Sequence, residues 1–467
     1  SAGISYGSDS VTVSYGNTDG TTAIGLNNNN VADDTEIHLW ITDAGLNIDP
    51  TTADAWEFDL NQSTSFKFAN NGSNNAIGAT TASEVGQFGC VDNCFLTVDD
   101  ASTAPAQLSG YDDVLMVETG PNTGVFESFD ADGASEIRSK VAATADAQHT
   151  FKYGGDSADI IIAYNDASIS MTAPGAGDWE PSTAATITIT DPDLNKNPLS
   201  AESMAIGNSS SVIPTIKMGS PLTLATGNNP SLVAASAGAT SGVTVGHDMG
   251  SEKYTLNVQN TTDNSERLRI IHSGGDAGLG GPSHTHTWIN VTTGHTRTTL
   301  VDLPGTVVLN YDISGPASQL GSTGVSVYVT DSGNNATYNG KGSIAVSTSG
   351  NAHAGVLDLD EGATEHTGKN TSVSAADSFG TATLAGTSLI QVAFKIDHAA
   401  GDKLLSTEDY AIAADFCNFD QNNGSLVHNC IYRLEAEETG ANTGVFTGSV
   451  EYITLNNSTS QGAVSGE

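Results

Sequence analysis

The chain has 467 residues and a formal charge of −39, because 54 aspartates and glutamates face only 15 lysines and arginines. So few cations exclude a nucleic-acid partner and an anionic membrane surface, since both are bound through clustered lysine and arginine. Hydrophobic residues make up 37% of the chain, which is enough to build folded cores. The acidic surface favours solubility and attracts small cations. No apolar run is long enough to predict a transmembrane helix.

The predicted elements are nearly all β-strands. Short runs that alternate apolar and polar residues lie between clusters of glycine, asparagine, aspartate and serine. In chain order, examples are residues 11–15, 36–41, 185–189, 324–329 and 449–455. The alternation predicts antiparallel sheets with one face on a core, whereas the continuously apolar run 113–118 predicts a central strand that is buried on both faces. Helices are predicted only over 135–146 and 403–414.

A loop rich in aspartate and asparagine follows two of these strands and is the first internal repeat. Residues 41–50, ITDAGLNIDP, match residues 189–198, ITDPDLNKNP, at an offset of 148, and residues 329–335 form a weaker third copy. In the second copy, oxygen-bearing side chains fall at loop positions 1, 3, 5, 7 and 12, which is the ligand spacing of a calcium-binding loop. Position 6 is a lysine and no helix precedes the loop, so it is not an EF-hand.

The side chains that we predict as calcium ligands all carry a carboxylate or amide oxygen. They are Asp191, Asp193, Asn195, Asn197 and Glu202 in the second copy, and Asp43, Asn47 and Asp49 in the first, where Asp54 is a further candidate. The alternative is a plain turn at the end of a strand, because Asx residues and the prolines that follow them favour turns. The spacing leaves both interpretations open.

The four cysteines fall into two short-range pairs, Cys90/Cys94 and Cys417/Cys430. Even number and local pairing predict two disulfides and therefore an oxidising compartment. A zinc site is the alternative, but Cys90 and Cys94 have no histidine nearby. The N-terminal residues contain neither a basic nor an apolar signal region, so we expect a secreted protein whose signal peptide has already been removed.

A second repeat follows each cysteine pair. Residues 118–126, ETGPNTGVF, recur as residues 438–446, ETGANTGVF, in each case between two predicted strands. Asparagine and glycine are the residues that tight turns between strands require. The two repeats together predict three β-sandwich modules, at 1–164, 165–305 and 306–467, of which the middle one is divergent.

Modules of this size, with a turn about every 8 to 12 residues, fit immunoglobulin-like sandwiches that carry long inserted loops. A parallel β-solenoid is the main competing architecture, but solenoids repeat about every 20 to 30 residues and this sequence does not. The predicted fold class is therefore all-β, with tandem immunoglobulin-like modules.

Other candidate chemistry is sparse. His284 and His286 would share one face of a predicted strand, with His272 and His295 nearby, and such a pair can bind zinc or copper. A surface strand without metal is the simpler interpretation. The sequence has no nucleophile elbow, zinc-protease motif or phosphate loop, so we expect no enzyme.

Ten Asn-x-Ser/Thr sequences are candidate glycosylation sites on a secreted protein. They begin at Asn61, Asn71, Asn208, Asn260, Asn290, Asn335, Asn370, Asn423, Asn456 and Asn457. In a chain so rich in asparagine, serine and threonine, some of these sequences are expected by chance.

The motif TDPDLN at 190–195, together with ETGxNTGVF at 118–126 and 438–446, resembles the large surface-layer and cell-surface proteins of archaea, especially of the ammonia-oxidising lineages. The resemblance implies immunoglobulin-like domains, secretion, frequent glycosylation and calcium-assisted assembly into sheets around the cell. It also implies that Asp191, Asp193 and Asn195 bind calcium, with Asp43 and Asn47 as their counterparts. The chain is short for such a protein, so a pilus-like filament of the same domains is the alternative to a sheet.

The functional expectation is an extracellular structural protein that assembles with copies of itself on the cell surface and binds small cations. The resemblance above implies that calcium is the cation. The protein inserts into no membrane. The alternative is a secreted protein that binds or hydrolyses polysaccharide, which would require two close carboxylates or a strip of aromatic side chains.

Overall fold

The computed structural model describes most of the chain. The described residues are 2–13, 21–60, 65–69, 76–81, 96–99, 107–112, 114–128, 134–175, 177–224, 243–248, 252–255, 257–260, 265–271, 285–296, 299–300, 302–331, 344–348, 353–358, 389–402, 404, 409–420, 427–451, 454–456 and 464–466.

The secondary structure is almost entirely antiparallel strand. In chain order the strands up to residue 204 are β1 (Ala2–Tyr6), β2 (Asp9–Val13), β3 (Ala23–Leu26), β4 (Asn30–Val31), β5 (Leu39–Thr42), β6 (Ala55–Phe58), β7 (Ser65–Ala69), β8 (Ala76–Thr81), β9 (Thr97–Val98), β10 (Leu108–Ser109), β11 (Val114–Glu118), β12 (Val125–Glu127), β13 (Arg138–Ser139), β14 (Gln148–Tyr153), β15 (Asp156–Ile162), β16 (Ser168–Thr172), β17 (Ala185–Thr190) and β18 (Ser203–Met204).

The remaining strands are β19 (Thr215–Met218), β20 (Leu222–Thr223), β21 (Val243–Asp248), β22 (Glu252–Thr255), β23 (Asn257–Asn260), β24 (Leu268–Ile271), β25 (His286–Thr296), β26 (Thr306–Asp312), β27 (Gly324–Asp331), β28 (Ile344–Thr348), β29 (Ala354–Asp358), β30 (Leu389–Asp397), β31 (Tyr410–Asp420), β32 (Val427–Arg433), β33 (Ala436–Glu438), β34 (Val445–Val450), β35 (Thr454–Asn456) and β36 (Val464–Gly466). A 3-10 turn covers Pro192–Leu194, and a short helix, α1, covers Ser314–Gln319.

The chain forms two compact units, and each is discontinuous in sequence. Unit 1 comprises Ser1–Thr172, Thr186–Ser203 and Glu437–Thr447, and unit 2 comprises Ala173–Ala185, Met204–Ala436 and Gly448–Glu467. These boundaries differ from the predicted modules 1–164, 165–305 and 306–467, because the second loop copy and the second ETGxNTGVF copy come together in unit 1.

Unit 1 contains a two-sheet sandwich. Its seven-stranded sheet has the order β3-β5-β12-β11-β6-β7-β8, and its four-stranded sheet has the order β4-β15-β14-β9. Side chains from both sheets share one core, with Ile41 and Phe126 from the larger sheet and Phe151 and Ile160 from the smaller. Alternating burial along β14 and β15 follows from this arrangement, since one face meets the core and the other meets water.

Unit 1 also contains most of a sheet whose strands are distant in sequence. The sheet β16-β17-β34-β33-β18 brings β17, from the middle of the sequence, next to β34, near its end. The buried face of β17 consists of Ala185, Ile187 and Ile189. Strands β1 and β2 form a separate hairpin in which both strands are exposed along their whole length.

Unit 2 is a second sandwich. One sheet contains the path β19-β32-β31-β24-β23 with β20, β26 and β29 attached, and the other has the order β22-β21-β25-β30-β27-β28. Their shared core includes Leu309 and Phe416 from the first sheet and Val327 and Phe394 from the second. Strand β31 is buried on both faces over most of its length.

The all-β sandwich prediction is confirmed, and the immunoglobulin-like part of it stays a prediction. Two helix predictions are wrong. Residues 135–146 form β13 and turns instead, and residues 410–414 belong to β31. The apolar run in β31 reflects burial on two sides rather than helical periodicity. None of the described helices is long and apolar enough to cross a membrane.

Candidate functional site: one loop built twice

The first loop begins where β5 ends, at Asp43. The Asp43 amide donates to the carbonyl of Gly124 (2.8 Å), so the loop is fixed to the ETGxNTGVF turn. The Asp43 carboxylate is fully buried, with Oδ1 accepting from the Gly45 amide (2.7 Å) and Oδ2 accepting from the Tyr153 hydroxyl (2.7 Å). Burial, reinforced by the charge of Asp43, raises the pKa of Tyr153 far above its usual range, so this hydroxyl remains a donor.

Two further carboxylates hold the rest of the first loop. Asp54 Oδ2 accepts from the amides of Ile48 and Asp49 (2.9 Å for Asp49). Glu118, the first residue of ETGxNTGVF, then receives the Asp54 amide on Oε2 (3.1 Å). The two sequence repeats are therefore two halves of one hydrogen-bonded structure.

Glu118 also shapes its own turn. Its Oε1 accepts from the amides of Thr123 (2.8 Å) and Gly124 (2.7 Å). Asn122 has a φ of 61° and Gly124 a φ of 62°, the left-handed region that asparagine and glycine tolerate best. Across the loop, Asn47 Nδ2 donates to Asn122 Oδ1 (2.9 Å).

The second copy repeats most of these bonds. The Asp191 amide donates to the Gly444 carbonyl (2.8 Å), as Asp43 does to Gly124. Glu202 Oε1 accepts from the amides of Lys196 (3.1 Å) and Asn197 (2.6 Å). Glu438 Oε2 in turn accepts from the Glu202 amide (3.2 Å). Glu202 and Glu438 thus take the places of Asp54 and Glu118.

The turn of the second copy is equally close to the first. Glu438 Oε1 accepts from the amides of Thr443 (2.7 Å) and Gly444 (2.6 Å), and Asn195 Nδ2 donates to Asn442 Oδ1 (2.7 Å). Asn442 and Gly444 have φ values of 65° and 59°. The halves lie 64 positions apart in the first copy and 236 positions apart in the second. The second copy therefore ties the end of the chain to its middle.

The second loop also contacts the first sandwich within unit 1. Lys196 Nζ donates to the carbonyl of Asp33 (2.6 Å) and lies 3.3 Å from its carboxylate, while the Lys196 carbonyl accepts from the Glu36 amide (2.8 Å). Asp193 Oδ1 and Oδ2 accept from the backbone amide of Asn165 (3.1 and 2.9 Å). The lysine at loop position 6 and the aspartate at position 3 thus serve as contacts between parts of unit 1.

The Glu202 and Glu438 side chains form the described carboxyl pair that most resembles a catalytic one. Burial, together with hydrogen bonding to Glu438, raises the pKa of Glu202 to about 7. Burial alone would raise the pKa of Glu438, but the hydrogen bonds that Glu438 accepts outweigh it and lower that pKa. We therefore place the shared proton on Glu202. Main-chain amides donate to Glu202 Oε1 and to both carboxylate oxygens of Glu438, so the pair holds the loop in place.

The predicted calcium ligands are held mainly by hydrogen bonds within the protein. Asp191 Oδ1 accepts from the Asp193 amide (3.1 Å), Asp193 binds Asn165, and Asn197 Oδ1 accepts from the Leu199 amide (2.9 Å). In the first loop, Asp49 Oδ1 accepts from the Thr51 amide (2.9 Å).

A few buried oxygens in the loops remain without a donor among the described residues. They are Asn195 Oδ1 in the second copy and Asn47 Oδ1 in the first. Carboxylate and amide oxygens are the ligands that calcium takes, six to eight at a time. These atoms are therefore the ones that the loops offer to an ion, and calcium binding stays a prediction.

The remaining predicted sites lie elsewhere. Cys417 and Cys430 form a disulfide with a Cα–Cα distance of 4.6 Å, joining β31 to β32, which confirms that pair. Cys90 and Cys94 lie outside the described residues, as do His272 and His284. His295 Nε2 lies 3.0 Å from the Thr223 carbonyl, and His286 opens β25.

The described glycosylation candidates occupy different settings. Asn208 is exposed and forms an isolated β-bridge with Tyr410, Asn260 ends β23, Asn456 ends β35, and Asn290 lies in β25, between β21 and β30. The candidates outside the described residues are Asn61, Asn71, Asn335, Asn370, Asn423 and Asn457. The exposed side chain of Asn208 is accessible for glycan attachment.

No protein-family model matches this sequence, and no curated protein matches it. The assignment of function therefore depends on the two loops and on the surfaces around them.

Sequence reasoning missed two parts of the site. It assigned Glu118 and Glu438 only to turns and did not pair them with Asp54 and Glu202. It also did not connect Tyr153 to Asp43. A signal for the first was present, because both repeats carry an acidic residue at equivalent positions.

Proposed function

We propose that this protein is an extracellular structural protein that assembles with copies of itself into a surface layer or filament. The observation that carries the proposal is an exposed apolar face on β1 and β2. Ile4, Tyr6, Val11 and Val13 are 60%, 92%, 58% and 46% exposed, respectively. An isolated two-stranded hairpin is marginal in water, so such a face is stabilised when another β surface covers it.

The site chemistry supports a structural role. The motif residues that sequence marks out, Asp43, Glu118 and their second-copy equivalents, bond to main-chain amides and hold turns. Local disulfide bonding, as in Cys417–Cys430, supports an oxidising and hence extracellular location. The resemblance to archaeal surface-layer proteins agrees with this assignment.

Calcium is the cofactor that we propose for the assembly. A chain with a net charge of −39 repels its own copies unless cations lie between them. The amide oxygens Asn195 Oδ1 and Asn47 Oδ1, which have no donor among the described residues, are the candidate ligands within the chain, and carboxylates on facing surfaces are candidates between chains.

The test is static light scattering of the purified full chain across protein concentration, with calcium and with a chelator. We expect the mass to grow beyond that of one chain in calcium. A mass of one chain under every condition would contradict self-assembly.

A further inference from the structure

The β1–β2 hairpin has a close relative inside the same chain. Residues 6–10, YGSDS, match residues 153–157, YGGDS, at an offset of 147, and the second stretch forms the turn between β14 and β15. The registers agree as well, since Tyr6 pairs with Asp9 and Tyr153 pairs with Asp156. The two hairpins are thus built on one pattern.

The exposed face of β1–β2 corresponds to the buried face of β14–β15. At the same offset, Ile4, Tyr6, Val11 and Val13 align with Phe151, Tyr153, Ala158 and Ile160. Phe151, Tyr153 and Ile160 are at most 1% exposed, and Ala158 packs against the same core. The corresponding side chains of β1–β2 are also apolar, but they are exposed to solvent.

The β14–β15 hairpin covers strand β3, beside the first copy of the loop. It packs against β3, an edge strand that pairs with β5 so that Ile24 lies opposite Ile41. Ile24 is only 8% exposed. The Tyr153 hydroxyl then reaches Asp43, the first residue of the loop (2.7 Å).

Strand β16 is the equivalent of β3 in the second copy, and among the described residues no hairpin covers it. Strand β16 pairs with β17 as β3 pairs with β5, with Ile169 opposite Ile189. Paired residues share a face, yet Ile169 is 65% exposed and Ile189 only 7%. Met171, on the same face, is 52% exposed.

Among the described residues, Asp191 lacks the tyrosine hydroxyl contact that Asp43 has in the first copy. Within the described part of the chain, its carboxylate accepts one hydrogen bond, from the Asp193 amide to Oδ1 (3.1 Å), and receives no tyrosine hydroxyl. Its equivalent, Asp43, receives two donors on its two oxygens.

We propose that the β1–β2 hairpin of one copy docks over β16 of a second copy, as β14–β15 lies over β3. Ile4, Val11 and Val13 then cover Ile169 and Met171, and the Tyr6 hydroxyl donates to Asp191 Oδ2. This inference rests on the proposed self-assembly and names its contact.

Charge and symmetry both favour this occupant. Residues 2–13 contain one charged side chain, Asp9, and residues 167–172 contain none, so the two surfaces avoid most of the repulsion between acidic copies. Each chain donates one hairpin and receives one at a different place. Such a head-to-tail contact continues from copy to copy and forms a filament or an open array unless it closes into a ring.

The first test compares two variants of the full chain with the same added charge. Ile4→Asp/Val11→Asp places two carboxylates on the apolar face of the hairpin, and Ser5→Asp/Thr12→Asp places two on its polar face. Light scattering is expected to show loss of assembly for the first variant and retention for the second. Circular dichroism checks that both stay folded, which we expect because all four side chains are exposed.

The decisive test mixes two variants that each fail to assemble. Ile169→Asp/Met171→Asp disables the receiving surface but keeps the hairpin, while Ile4→Asp/Val11→Asp does the reverse. An equimolar mixture is expected to form a dimer of one chain of each kind and nothing larger, because one donor–acceptor pair remains. Tyr6→Phe in the wild-type chain is expected to weaken association about tenfold, through loss of one hydrogen bond to a carboxylate.

The outcomes separate this inference from the proposed function. If the wild type assembles and Ile4→Asp/Val11→Asp assembles equally well, the hairpin contact is wrong and self-assembly stands. If assembly survives Ile169→Asp/Met171→Asp, β16 is not the receiving surface and the inference is overturned. If the wild type never exceeds one chain, both proposals fail.

Discussion

Glu202 is the residue at which the pH behaviour of the second loop is decided. Its pKa is about 7 in the folded protein against 4.5 for an unperturbed glutamate, because it is buried beside Glu438. Between these values the folded chain holds a proton that the unfolded chain has released. Linkage then requires the free energy of unfolding to fall as pH rises from about 4.5 to about 7 and to level off above that range.

The variant Glu202→Gln is expected to remove this part of the pH dependence. The side-chain oxygen of the glutamine still accepts from the backbone amides of Lys196 and Asn197. Its NH2 group donates to Glu438 without having to take up a proton, so the bond does not depend on pH. Thermal unfolding at about pH 5 and about pH 8 measures the effect. Glu437→Gln, at the exposed neighbouring position, is the matched control and should keep the wild-type slope. An unchanged slope in Glu202→Gln would contradict the assignment.

A side chain at Gly124 or Gly444 is expected to destabilise the folded protein. Both have positive φ, and a Cβ at Gly444 would lie 2.8 Å from Pro192 Cα, whereas one at Gly124 would lie 3.2 Å from Ala44 Cα. Each alanine variant should lose about 1 to 2 kcal/mol of unfolding free energy, with Gly444→Ala the larger loss. Gly440→Ala is the control, since its Cβ meets only Thr443 Cγ2 at 3.7 Å. Denaturant unfolding ranks the three, and equal stability in all would contradict the strained turn.

At the scale of elements, the disulfide between β31 and β32 makes a separate prediction. Cys417 and Cys430 are buried and lie 13 positions apart. Closing so short a loop in the unfolded chain stabilises the folded state by about 3 kcal/mol. Cys417→Ala/Cys430→Ala should therefore unfold at a lower denaturant concentration than the oxidised wild type. An unchanged midpoint would show that the bond adds no stability.

The strands themselves were largely predictable from sequence. Alternation located β17 and β27, and the continuously apolar run 113–118 marked β11, which is buried on both faces. The helix prediction over 403–414 was wrong at 410–414 for the same physical reason, since a strand buried on both faces loses its alternation.

Pairing between distant elements was not predictable. The local sequence pattern indicates which residues are buried. It does not indicate that Glu202 bonds to Glu438, which lies 236 positions away in the chain. The partnership of Tyr153 with Asp43 is likewise a tertiary contact, 110 positions apart. The repeats themselves did show that the two loops are copies, and the structure adds how their halves combine.

At the scale of the whole molecule, the net charge of −39 governs assembly. If calcium lies between copies, a chelator should dissolve the assemblies, and calcium restored to millimolar concentration should rebuild them. Sodium at matched ionic strength screens charge but binds carboxylates weakly, so it is the control. Assemblies that resist the chelator would remove calcium from the account and leave self-assembly in place.

The central claim is that copies of this chain join into an extended structure. Negative-stain electron microscopy of the protein in calcium tests it most directly. We expect the wild-type protein to form filaments or sheets with a regular repeat. Ile4→Asp/Val11→Asp should abolish these assemblies, and Ser5→Asp/Thr12→Asp should preserve them. A field of separate single chains from the wild-type protein would contradict it.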